Sequence, residues 1–285
     1  MIPAKFDYVR PESVDEAVRE LSSGGEDTKV IAGGQSLLPL LRLRLAYPER
    51  LVDLGALDGL RGVRDAGDAL EIGALTTHYE LTKNPLIVEH CGLIAEAAGT
   101  IADPAVRHRG TIGGALAHAD PAGDLPAVIT ALDATLVAHG PSGEREIRPA
   151  DFFIDYLTTG LGPAEILTGV RVPKLDGWGY RYEKFHVTAQ AWALVGVAAV
   201  VRRDNGHVAE ARVGLANMGS VPVRAPDAES AASGAEASAA ALRTAAARAD
   251  SGTSPPGDIR ASAEYRRHLA RVLTGRALAA AAVAL

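Results

Sequence analysis

The sequence has a single cysteine, Cys91, in 285 residues. That excludes a disulfide framework and any cysteine-ligated iron–sulfur cluster held by this chain alone. It also lacks a basic surplus. There are 29 Lys+Arg against 35 Asp+Glu, a formal net charge of −6. Nucleic-acid binders neutralise phosphates with excess positive charge, so no nucleic-acid partner is expected. The longest apolar run, 191–201, falls short of the roughly 20 residues that span a bilayer, so no membrane span is expected. No apolar segment follows Met1-Ile2-Pro3-Ala4-Lys5, so no signal peptide is expected, and the location implied is cytoplasmic. Several site motifs are missing as well: G-x-G-x-x-G after a strand, G-x-x-x-x-G-K-[ST], H-E-x-x-H, C-x-x-C and G-x-S-x-G.

What is present is an ordinary globular balance, 47% hydrophobic and 22% charged, at a length that suits one large or two medium domains. No internal repeat is visible. The first part reads as alternating short helices and strands. Ser13 and Glu16 form an S-x-x-E start for a helix carrying Val14, Ala17, Val18 and Leu21 at helical spacing, which Gly24 and Gly25 stop. Strands are expected at 29–32, 51–54 and 69–73. Thr76 or Thr77 should cap a helix near His78, and helices are expected over 85–98 and 124–132. A hairpin over 134–138 and 145–147 turns at Pro141-Ser142-Gly143, and a strand over 165–172 follows.

The segment Pro173-Lys174-Leu175-Asp176-Gly177 marks a boundary. Beyond it, strands are expected at 180–185, 193–201 and 208–216. Asp204-Asn205-Gly206 joins the last two, and Asn-Gly suits a type I′ hairpin turn. Half of 225–250 is alanine and reads as helical or partly flexible. One or two closing helices are expected over 265–285.

Two segments carry chemistry. The first, Ala32-Gly33-Gly34-Gln35-Ser36-Leu37-Leu38-Pro39, directly follows a strand. Paired glycines let a backbone turn sharply and aim successive N–H groups one way, a nest that binds phosphate without lysine. The same glycines would serve a plain tight turn. The second runs from Arg109-Gly110-Thr111-Ile112-Gly113-Gly114-Ala115 through His118-Ala119-Asp120-Pro121 to Asp124. Asp124 can accept from ribose hydroxyls or cap the helix that follows. His118 and Asp120 are metal-ligand types, but no third ligand sits at a usual spacing, so a polar loop is expected there and no metal. Two amide-rich loops, each with a hydroxyl, suit an extended ligand with two phosphates, a dinucleotide such as FAD or NAD.

Those loops resemble the two FAD-binding loops in the medium subunit of molybdenum hydroxylases, the family of aerobic carbon monoxide dehydrogenase and xanthine dehydrogenase. The resemblance runs from Phe6-Asp7-Tyr8 to about Pro222, and more loosely to the C-terminus. It implies an α+β protein. A vanillyl-alcohol-oxidase/PCMH-type FAD-binding domain of two α/β subdomains, 1–55 and 56–175, precedes an antiparallel sheet plus helices over 176–285. It implies noncovalent FAD, with a pyrophosphate loop at Ala32, Gly33, Gly34, Gln35, Ser36 and Leu37. Thr111, Gly113 and Gly114 come from the second loop, and Asp124 lies near the ribose. Ile101, Ala102, Leu167 and Lys184 lie near the flavin, where the Lys184 charge would favour an anionic reduced ring.

The implied activity is that of an FAD-dependent oxidoreductase subunit performing electron transfer. A molybdopterin-binding large subunit oxidises the substrate, an iron–sulfur small subunit carries electrons through two [2Fe–2S] clusters, and this FAD passes them to an external acceptor. The expected assembly is a dimer of heterotrimers. This sequence departs from the family in having Val187 and Ala191 where many relatives carry Arg and Asp, and Ala115 where Ser or Asn is common. The alternative is a stand-alone flavoenzyme acting on a small molecule, with His186, His118 and Tyr156 as its acid–base candidates.

Overall fold

The Ser13 hydroxyl accepts from the Glu16 N–H and opens the helix Val14–Gly24. The Glu16 carboxylate reaches back to the N–H of Glu12 rather than Ser13, so the capping box is displaced by one residue. Ala17, Val18 and Leu21 face inward from this helix, as their spacing requires. They pack with Val52 and Leu54 against a parallel three-stranded sheet ordered Asp7–Val9, Arg50–Asp53, Thr28–Ile31. These elements belong to a computed structural model that describes residues 2–283. Among the described residues no helix is long and apolar enough to cross a membrane.

A five-stranded antiparallel sheet follows, in the order Val63–Asp65, Ala69–Gly73, Ile166–Pro173, Thr135–Gly140, Gly143–Ile147. Thr77, not Thr76, caps the helix His78–Lys83 and makes a full capping box with Glu80, while the Thr76 hydroxyl donates to the Gly62 carbonyl. The helix expected over 85–98 is two helices, Pro85–His90 and Gly92–Gly99, broken at Cys91. Apolar periodicity hides this break because both halves feed one core through Ile87, Leu93, Ile94, Ala97 and Ala98. The break brings the Gly92 backbone against Tyr180, whose hydroxyl lies 2.0 Å from where a Cβ would stand.

Beyond the boundary, Trp178–Phe185, Val195–Asp204, His207–Ala216 and Val223–Arg224 form a four-stranded antiparallel sheet. Asn205 and Gly206 both have positive φ, 48° and 81°, as a type I′ turn demands. The uninterrupted apolar run in this region has a simple cause: residues 195–201 of the strand Val195–Asp204 are buried on both faces. Ala198 and Val200 point into the core shared with the five-stranded sheet. Val195, Val197, Ala199 and Val201 point the other way, onto the helices. The alanine-rich segment folds as Pro226–Ala232 and Ala239–Ala246, with Ala228, Ala232, Leu242 and Ala245 buried. One helix, Ala263–Val283, closes this layer. The part of the expected closing helix at Ala284 and Leu285 lies outside the described residues.

The helix Asp124–Leu132 is buried throughout and joins the two halves by lying on the strand His207–Ala216. Gly214 makes that approach possible, since a Cβ there would stand 2.2 Å from the Ala127 carbonyl oxygen. Backbone cannot swing aside as a side chain can. Gly214→Ala is therefore expected to destabilise the chain by about 2–3 kcal/mol, read as a lower urea midpoint at unchanged slope. An unchanged midpoint would mean that the helix and sheet move apart freely.

Candidate functional site

The strand Thr28–Ile31 delivers the chain into Ala32, Gly33 and Gly34, and Gly34 turns it at φ 74°. The turn leaves an unusual account of backbone donors. Among the described residues, nothing accepts from the N–H groups of Gly33, Gly34, Gln35, Ser36 or Leu37. The Ser36 side chain does not cap the helix Leu37–Leu43 that follows, and the Gln35 carboxamide donates to the Gly33 carbonyl at 3.1 Å. Five successive donors without partners call for an acceptor from outside the chain.

The second glycine segment behaves otherwise, which corrects the expectation of two donor-rich loops. Its amides are already used except at Thr111, whose N–H has no acceptor among the described residues. Ile112 donates to the Thr76 carbonyl at 3.0 Å and Gly113 to that of Ala74 at 2.8 Å. Gly114 donates to the Thr111 hydroxyl at 3.1 Å, which makes Thr111 the N-cap of Ile112–His118. The Thr111 hydroxyl keeps its own proton to donate. The glycines here serve close packing, since a Cβ on Gly113 would stand 2.5 Å from the Ala74 Cβ. The two loops also touch backbone to backbone. A Cβ on Gly33 would lie 2.1 Å from the Arg109 carbonyl oxygen and 2.8 Å from the Gly110 Cα.

Between the loops lies a cavity of about 550 Å³, within the usual range for small-molecule sites. All fourteen residues expected at the site line it: Ala32, Gly33, Gly34, Gln35, Ser36, Leu37, Ile101, Ala102, Thr111, Gly113, Gly114, Asp124, Leu167 and Lys184.

Asp124 is not the cap of its helix. Gly123 holds the N-cap position, and Asp124 is the first helical residue. Its carboxylate is instead shared between two groups of the C-terminal sheet. Oδ1 accepts from the Tyr182 hydroxyl at 2.6 Å, and Oδ2 pairs with the Lys184 ammonium at 2.8 Å. Lys184 also donates to the Thr100 carbonyl at 3.2 Å. The Lys184 and Asp124 side chains are only 5% and 4% exposed, so the Lys184 side chain is buried although its strand lies at the sheet edge. Burial raises the Asp124 carboxyl above its ordinary range, and Lys184 and Tyr182 oppose that rise. The remaining lone pairs of Asp124 can still accept from a ligand hydroxyl. The expected attraction of Lys184 for an anionic ring is corrected too, because a carboxylate 2.8 Å away cancels most of its charge.

The alternative acid–base candidates are not brought together. His118 lines the cavity, but His186 and Tyr156 do not, and both are exposed. Asp120 accepts from the Ala122 N–H at 2.8 Å, the polar loop expected there. Among the described residues no cluster of metal-ligating side chains exists. Of the departures, Ala115 and Ala191 line the cavity and Val187 is exposed.

Among the lining residues that the sequence did not point to are Trp192 and His78. Trp192 lines the cavity although half exposed. His78 is buried on the wall, and its Nδ1 has no partner among the described residues. Burial, helped by the Arg107 charge, pushes the imidazole down to about 4 from its ordinary 6.5. Between these values the unfolded chain binds a proton that the folded chain refuses, so stability falls as the pH drops. The loss from His78 is expected to be about 2 kcal/mol between pH 7 and pH 5. Urea unfolding of the wild type and His78→Gln at both values checks this: the variant should show a correspondingly flatter dependence. Parallel behaviour of the two would contradict it.

The donors fit a pyrophosphate-containing ligand. Five residues with free amides line the cavity, and a buried hydrogen-bonding carboxylate lies on its wall. Comparison with known proteins points the same way. Residues 4–175 match the family described as the FAD binding domain in molybdopterin dehydrogenase. Residues 180–281 match the CO dehydrogenase flavoprotein C-terminal domain. The chain is 39% identical to the carbon monoxide dehydrogenase medium chain of Hydrogenophaga pseudoflava, covering 99% of this chain and 98% of the relative. It is 36% identical to the glyceraldehyde dehydrogenase medium chain of Sulfolobus acidocaldarius, over 97% and 98%. It superimposes with a TM-score of 0.96, at 41% identity over 99% of this chain and 98% of the other, on carbon monoxide dehydrogenase from Hydrogenophaga pseudoflava lacking the Mo-pyranopterin moiety of its cofactor. With both domains matched in order and nearly the whole length covered, the chain belongs to the FAD-binding medium subunits of the molybdenum hydroxylase family.

Proposed function

We propose that the fourteen residues lining the cavity hold one noncovalent FAD, and that the chain hands electrons from partner iron–sulfur clusters to an external acceptor. The observation that carries this is the set of free N–H groups from Gly33 to Leu37 at the cavity. Those amides, with the Thr111 hydroxyl, neutralise the pyrophosphate by direct donation. Asp124, held by Tyr182 and Lys184, accepts from ribose hydroxyls. Ile101, Ala102 and Leu167 form the apolar wall that keeps water from the ring. The chemistry supplied by bound FAD is the uptake and release of electrons. The protein's part is to bind, orient and shield.

The relatives differ in what they oxidise, carbon monoxide in one and glyceraldehyde in another, at similar identity to this chain. That supports placing substrate choice in a molybdopterin-binding large subunit, with an iron–sulfur small subunit between the two and a dimer of heterotrimers as the assembly. The lone buried Cys91 supports clusters held elsewhere and a cytoplasmic location. The three larger sheets support dividing the chain at 1–55, 56–175 and 176–285.

The test is capture of the tagged chain from its native host. Molybdopterin and iron–sulfur chains should come with it, and the flavin absorbance should bleach with substrate only in that complex. An isolated chain that turns over a small-molecule donor unaided would overturn the reading in favour of a stand-alone flavoenzyme.

A further inference from the structure

The cavity wall contains a strained turn with an evident clamp. The helix Gly92–Gly99 ends at Thr100, and Ala102 then takes φ 40°, a left-handed conformation costly for any residue with a Cβ. Asp103 caps the next short helix, Pro104–Arg107, through the Val106 N–H. From the end of that helix Arg107 reaches back. Its Nη1 donates to the carbonyl oxygens of both Ile101, at 2.8 Å, and Ala102, at 3.1 Å. Both bonds are charge-assisted and stronger than neutral ones.

A trans peptide is planar, with its C=O and N–H pointing opposite ways. Pulling the Ile101 carbonyl onto Arg107 therefore turns the Ala102 N–H away from Arg107. That N–H has no acceptor among the described residues, and Ile101 and Ala102 both line the cavity. The strained turn, the double clamp and the free donor describe one device.

We propose that Arg107 is a positioning residue that holds the Ile101–Ala102 turn so that the Ala102 N–H donates to an acceptor atom of the flavin ring. The inference rests on the reading of the cavity as an FAD site. A donor on a ring acceptor favours the reduced, electron-rich ring over the oxidised one. Arg107 thus raises the potential of the bound cofactor through Ala102 rather than by touching it.

The test is a double-mutant cycle read by spectroelectrochemistry on the FAD-loaded protein, with FAD affinity measured beside it. Arg107→Met should weaken reduced FAD relative to oxidised FAD about tenfold, which lowers a two-electron midpoint by about 30 mV. That drop alone would also follow from losing a positive charge near the ring. Ala102→Gly separates the two causes, because glycine takes φ 40° without strain and needs no clamp. In the glycine background, adding Arg107→Met should lower the midpoint by less than half as much. An equal drop in both backgrounds would assign Arg107 a purely electrostatic role and overturn the proposal, as would no drop in either. Arg107→Gln provides the same cycle if the methionine variant does not fold. A wild type that takes up no FAD would overturn the underlying reading and the inference with it, whereas a loaded wild type with an unresponsive Arg107 overturns the inference alone.

Discussion

Gly33→Ala is expected to yield a folded chain that no longer retains flavin. Its Cβ would stand 2.1 Å from the Arg109 carbonyl oxygen, 2.7 Å from the Arg109 carbonyl carbon and 2.8 Å from the Gly110 Cα. All three are backbone atoms, so no rotamer relieves the contact. The loops must part, and the part that moves carries the free N–H groups from Gly33 to Leu37. Donors aimed at a pyrophosphate lose most of their value once displaced, because hydrogen bonds weaken steeply with distance and angle. Losing two or three charge-assisted bonds at about 1.5–3 kcal/mol each weakens binding at least 100-fold. The fold should survive, since Gly33 lies in a surface loop and outside the three core clusters. FAD fluorescence titration and far-ultraviolet circular dichroism of the variant check both halves. Wild-type affinity would mean that the loops are loosely coupled and that the free amides do not hold the ligand.

The second large effect is expected at Lys184. In the FAD-free chain, Lys184→Met should lower stability at pH 7 by about 3–5 kcal/mol, the usual cost of leaving one member of a buried pair behind. Asp124 would then keep only the Tyr182 hydroxyl, inside a site where burial already raises its carboxyl. Removing the ammonium removes the main group opposing that rise. A carboxyl whose folded value lies above its unfolded value contributes stability at low pH and loses it as the pH rises through the folded value. The deficit of the variant relative to the wild type should therefore shrink from pH 7 to pH 5. Adding Asp124→Asn to Lys184→Met should recover part of the loss, since the stranded charge is gone. Urea midpoints of the four proteins decide it, and a Lys184→Met loss below about 1 kcal/mol would place the pair effectively in water. Asp124 lies in the first matched domain and Tyr182 and Lys184 in the second, so this cluster also fastens the two halves.

Much of the fold was legible because its signals are local. Ser13, Thr77 and Asn205-Gly206 announce a helix start, a helix start and a hairpin within four residues each. The 191–201 run was legible as apolar but not as doubly buried, because that depends on helices arriving from 226–283. The break at Cys91 was illegible because both half-helices bury into one core and keep the same periodicity.

In the site, the glycine loops stood out, yet their equivalence did not hold. Whether an amide is free depends on what lies opposite it: Ala74 and Thr76 accept from Gly113 and Ile112 in the second loop, and among the described residues nothing accepts from Gly33 to Leu37 in the first. The partners of Asp124 lie 58 and 60 residues along the chain, too far for any spacing rule. His78 was visible only as a residue beside a cap. Its place on the cavity wall comes from the backbone bond between its N–H and the Gly110 carbonyl at 2.9 Å, a tertiary contact.

The most direct test of the central claim is the visible spectrum of the purified chain after FAD addition and gel filtration. One equivalent of flavin should travel with the protein, with resolved bands near the usual flavin maxima, and be released intact by heat because no covalent link holds it. A folded chain that emerges colourless from the column would contradict that claim.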